Sequence, residues 1–113
     1  MKITISDYTP PSLNVILRMS YWKRRKLQKQ WDDFIIGYAW SAGWRRDKQY
    51  SRADITLYFP DKRRRDEDNY IGSKVIPDAL KNNKLIADDN MNDFKAKWHF
   101  EIGKERKTVI KLR

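Results

Sequence analysis

There is no cysteine in these 113 residues and only one histidine. Disulfides and thiolate metal sites are thereby excluded. A histidine-rich metal centre and a Ser-His-Asp triad are both hard to assemble from His99 alone, which sits in an alternating strand pattern as a structural or solvent-facing residue. The four glycines are scattered, so no glycine-rich phosphate loop is present. No apolar run approaches the roughly 20 residues of a membrane span. The opening residues 1–6 lack the long apolar segment of a signal peptide. The expectation is a cytoplasmic protein with no membrane partner. No internal repeat or low-complexity linker breaks the chain, and its length fits one domain over residues 1–113.

What the chain has in excess is positive charge. Its 25 Lys and Arg against 15 Asp and Glu give a net charge of +10, a field attractive to phosphates. Aromatic residues make up 13% of the chain, enough rings to build a core and to argue against disorder.

Ile3 and Ile5 alternate with Lys2, Thr4 and Ser6 as a half-buried strand, which Pro10-Pro11-Ser12 breaks. Residues 13–19 fit either an extended run or a short helical turn. Over residues 24–42 the period is helical, with Leu27, Trp31, Phe34, Ile35, Tyr38 and Ala42 on one stripe. Ile36, Trp40 and Trp44 point to the other side, which calls for a second cover from the fold or from a partner subunit. Gly43 is placed to end this helix. Ala53, Ile55, Leu57 and Phe59 mark the clearest strand, ended by Pro60. A second helix runs from Ser73 or Lys74 to about Lys81, with Pro77 either near its start or at a kink. The tail reads as a hairpin: Phe94, Ala96, Trp98, Phe100 and Ile102 alternate, residues 103–106 turn, and a last strand begins near Lys107. This order predicts an α+β fold, a mixed four-stranded sheet with two main helices packed on one face.

The chemistry concentrates between Phe59 and Asn90. Asp66 and Asp68 follow the basic run Lys62, Arg63, Arg64 and Arg65 at a strand exit, and a second pair, Asp88 and Asp89, lies one helix downstream. Aspartates of this kind serve as turn residues, as helix caps or as metal ligands. Carboxylates for Mg²⁺ beside arginines for phosphate suit phosphodiester hydrolysis, in which metal-bound water attacks a polarised phosphoryl group. Lys74 is the candidate to position that water or neutralise developing charge. At the start of the first long helix, Lys23, Arg24, Arg25 and Lys26 follow Tyr21 and Trp22. They read either as a grip on phosphates and unstacked bases or as a solvated helix start.

These residues together resemble the RusA-type Holliday junction resolvases, often carried by phages and prophages. The resemblance spans most of the chain: Pro10-Pro11-Ser12-Leu13-Asn14, then Arg63-Arg64-Arg65-Asp66-Glu67-Asp68-Asn69, then Lys74 with Asp78-Ala79-Leu80, then Asp88-Asp89. It implies a RusA-like fold, metal binding by Asp66, Asp68 and Asp89, DNA binding by Arg65, and a catalytic role for Lys74. It also implies a homodimer that uses Mg²⁺ or Mn²⁺ to nick two opposing strands of a four-way junction in DNA recombination and repair. Tyr70 to Ser73 separate Asn69 from Lys74, a longer stretch than in the best-known form of the pattern, so Lys74 is matched through its spacing to Asp78. The alternative is a binding protein for branched or single-stranded DNA that does not cut, using the basic run and Trp22. A basic structural protein of a phage or ribosomal particle would leave the paired aspartates unexplained.

Overall fold

Alternation at the start of the chain yields strand β1, Lys2–Ser6, with Ile3 and Ile5 buried. The computed structural model describes residues 1–46, 48–88 and 94–113. Residues 13–19, open between two readings, form the short helix α1, Leu13–Leu17, with Ser12 at its N-cap. Helix α2, Tyr21–Ser41, starts three residues before its expected start at Arg24, because the Ser20 hydroxyl accepts the Lys23 N–H (3.3 Å) and caps it. Its end follows the expected device. Gly43 has φ +90°, its N–H returns to Trp40 O (3.0 Å), and the Trp44 N–H returns to Ala39 O (2.9 Å).

Strand β2, Arg52–Phe59, follows, then a short helix α3, Glu67–Ile71, built from the acidic run itself. Helix α4, Val75–Asn82, places Pro77 in its first turn, where no intrahelical partner needs the missing N–H. Strands β3, Lys95–Ile102, and β4, Lys107–Leu112, complete the chain.

The four strands form one mixed sheet in the order β1-β4-β2-β3. β4 runs antiparallel to both neighbours, setting Ile110 opposite Ile3 on one side and Ile55 on the other. β2 and β3 are parallel, with Ile55 opposite Trp98. The tail is therefore not a hairpin, since β2 lies between β3 and β4. Skipping a strand requires a span of about 10 Å, within reach of a four-residue link. Gly103 anchors that link by donating to Phe59 O (2.9 Å) at the end of β2. Alternation reveals which face a residue occupies but not which strand it pairs with. The run Thr108, Val109 and Ile110, all buried, is what marks β4 as interior.

One sheet face carries Ile3, Ile5, Ala53, Ile55, Leu57, Phe59, Ile110 and Leu112 into a single core with Trp31, Ile35 and Ala39 of α2 and Val75, Ile76, Ala79 and Leu80 of α4. The helix stripe needs correcting in detail: Tyr38 and Ala42 are exposed, whereas Trp44, expected on the far side, is buried beyond the helix end. Leu85 and Ile86, just after α4, are fully in the core. A polar seam locks the two main helices. Asp32 accepts from Gln28 (2.9 Å) and from Asn82 (3.2 Å), and Gln28 also donates to Val75 O (3.2 Å). The opposite sheet face holds an open depression of about 560 Å³ lined by polar side chains, among them Lys97, His99 and Lys111. His99 is exposed there, in keeping with its solvent-facing reading. Among the described residues, no helix is long and apolar enough to cross a membrane.

Candidate active site

The site is built on the crossover that leaves β2 at Phe59 and returns as the parallel strand β3. Pro60 stops the strand, and Asp61 makes the next turn by accepting the Arg63 N–H on Oδ1 (2.9 Å). The same oxygen takes Nη2 of Arg65 (2.9 Å), while Nη1 donates to Arg63 O (3.0 Å). The Arg65 guanidinium lies 4.0 Å from the Phe59 ring centroid, and the side chain is only 13% exposed. The Arg63 N–H first, and then the Arg65 guanidinium, hold the Asp61 carboxyl below the usual carboxylate range. Arg65, expected to grip DNA, also buckles its own loop, and its neighbours Arg63 and Arg64 stand exposed. Asp61 was not singled out by sequence reasoning, although an aspartate directly after a strand-ending proline is a turn signal that could have found it.

Asp66 is the N-cap of α3, accepting the Asp68 N–H on Oδ1 (3.1 Å). Of the readings open for these aspartates, the cap therefore holds for Asp66, and it leaves the second carboxylate oxygen outside that bond. Glu67 and Asp68 follow in the first turn, where negative charge suits the exposed N–H groups. All three side chains are exposed, and among the described residues none is in an ion pair. Asn69 turns the other way and accepts the Asn14 N–H (3.0 Å), tying α1 to α3. Gly72 lets the two helices approach, since a Cβ there would stand 3.2 Å from Asp68 O and 3.3 Å from Leu13 Cδ2.

Lys74 is exposed and sits between α3 and α4 with φ 57° and ψ 8°, a left-handed conformation that costs a non-glycine residue roughly 1–2 kcal/mol. Strained residues of this kind persist where their surroundings hold them and cluster at functional sites. Asp88 is half-buried and pairs with Lys81 (3.4 Å) on α4. Asp89, the third aspartate of the sequence pattern, lies outside the described residues. Among those residues, no three carboxylate or imidazole groups gather in a cluster that could hold a metal ion. Asp66 and Asp68 sit at the N-cap and in the first turn of α3, and Mg²⁺ is commonly held by one or two carboxylates, keeping waters and taking phosphate oxygens for the rest of its shell.

Lys23, Arg24 and Arg25 fall in the first turn of α2, all exposed. Arg24 donates to Leu17 O (3.0 Å) and Met19 O (3.2 Å), satisfying carbonyls left open at the end of α1. Arg25 reaches the Tyr21 hydroxyl (3.1 Å). α1 thus leads directly into this basic turn and touches the acidic helix α3 through Asn14 and Leu13. The fold is α+β, with an acidic helix start on the crossover after β2 and exposed cations in the sequence beside it. No family model matches the chain, and no curated protein is similar enough to count as a match.

Proposed function

We propose that the chain is a divalent-metal-dependent, structure-selective endodeoxyribonuclease of the RusA type, resolving four-way DNA junctions by paired nicks as a homodimer. One observation carries the reading. Asp66, Glu67 and Asp68 stand exposed at a strand exit without an ion pair among the described residues, in a chain of net charge +10. Exposed carboxylates beside Arg63 and Arg64 suit a cation taken from solution together with a phosphate. Asp66 and Asp68, together with Asp89, would hold Mg²⁺ or Mn²⁺, which when bound supplies an activated water and charge stabilisation at the phosphoryl group.

The chain's own groups do the rest. Arg63, Arg64, Lys23 and Arg25 hold backbone phosphates on either side of the cut. The Lys74 ammonium offsets charge that develops at the scissile phosphate. Arg65 and Asp61 keep the loop rigid so that the carboxylates and the arginines stay in register. Two copies about a two-fold axis present two such sites to equivalent strands, and exposed Tyr38 and Trp40 on α2 offer apolar surface for the contact.

A second reading, a protein that binds branched or single-stranded DNA without cutting, is favoured by the exposure of Trp22 and has no use for the acidic run. Cleavage assays on four-way, three-way, flap and linear duplex DNA with Mg²⁺, Mn²⁺ or EDTA separate the two. The nuclease gives symmetric nicks in the four-way junction that EDTA abolishes. Retention of the junction without any nick in either metal supports the binding protein instead.

A further inference from the structure

The start of α2 presents two large aromatic side chains to solvent. Trp22 is 75% exposed and Tyr21 62%, with ring centroids 5.4 Å apart at 71°. Val15 and Leu17 on α1 are exposed beside them in the chain. Rings this open do nothing for the core. The corner that carries them is nevertheless held in place: Arg25 binds the Tyr21 hydroxyl (3.1 Å), and Arg24 clasps Leu17 O and Met19 O. Asn14 then ties α1 to Asn69 of α3, so the aromatic corner is anchored to the acidic helix.

Along the segment that carries the corner the charge is of one sign. Between Asp7 and Asp32 the sequence holds six Lys and Arg and no Asp or Glu. A second copy docked here face to face would set these cations against their own kind, which opposes a symmetric contact. A polyanion is drawn in. Duplex DNA would satisfy the cations alone, because its stacked bases hide the faces that an indole could cover. An unpaired base satisfies both the cations and the ring.

We propose that Trp22, with Tyr21 at its edge, is a stacking platform for an unpaired nucleobase, while Lys23, Arg25 and Lys26 hold the adjoining phosphates. This rests on the nucleic-acid part of the function proposed above and names its preferred substrate: DNA with bases freed from stacking near the branch.

The test is binding in EDTA, read by fluorescence anisotropy, of a short oligothymidylate and an abasic strand of equal length. The wild type should hold the oligothymidylate more tightly. Trp22→Ala should weaken that binding about ten-fold while leaving the abasic strand unchanged, and Trp22→Phe should restore most of it. The platform is ruled out by equal wild-type binding of the two strands, by equal loss on both in Trp22→Ala, or by no binding at all. It is also ruled out if Trp22→Ala sediments as a smaller species than the wild type, which would make the ring an interface between copies. Since no metal is present, a junction that is never nicked sinks the nuclease reading and leaves this result standing.

Discussion

Lys74 concentrates the account at the scale of single residues. A lysine with φ 57° sits where glycine would be at ease, on the short link between α3 and α4. If the position were only a connection, Lys74→Gly would relieve strain without consequence. In the proposed site it removes the ammonium that faces developing charge. The expected outcome is a urea midpoint that does not fall, together with nicking of a four-way junction reduced about 100-fold or more. Retained nicking would assign Lys74 to chain geometry alone. Arg65 shows the reverse case. The resemblance implies DNA binding for it, and the structure adds contacts with Phe59 and Asp61 that the basic run alone does not announce.

Elements were more legible than their ends. The helical period of α2 rests on Trp31 and Ile35, both fully buried, so the sequence carries it plainly. Its first turn was missed because Ser20 caps a stretch whose next six residues are aromatic or basic, with no acidic residue to signal a start. The acidic helix α3 was missed for a related reason. Five residues are too few to show a period, and only the Asp66 cap defines it. The stop at Gly43 was readable because φ +90° is a conformation that few residues but glycine accept. Gly43→Ala would meet no atom within 4 Å, so its whole cost is backbone strain. Urea unfolding should report a loss of about 1 kcal/mol. A neutral substitution would mean that the α2 end does not depend on the glycine.

At the scale of the molecule, strand alternation predicted a mixed sheet with one covered face, and the structure has it. The order of the strands was not readable. Placing β4 between β1 and β2 depends on pairings more than fifty residues apart, such as Ile110 with Ile3 and Ile55, and no local pattern specifies them. That order makes β2–α3–α4–β3 a parallel crossover and puts the acidic run at a strand exit, where sites are commonly built. The charge of the whole chain is the other half of the reading, since a net +10 draws a polyanion toward the surface that carries the acidic run.

Everything in the functional reading hangs on those carboxylates taking up a divalent cation. A cation that binds only the folded state stabilises it by an amount that grows with the logarithm of its concentration above the dissociation constant. Thermal melting with and without millimolar Mn²⁺, in the wild type and in Asp68→Asn, measures this without any substrate. The account predicts a rise of about 5 °C or more in the wild type and the loss of most of that rise in Asp68→Asn. A wild-type melting curve that Mn²⁺ leaves unmoved, or a rise that Asp68→Asn retains in full, would contradict it.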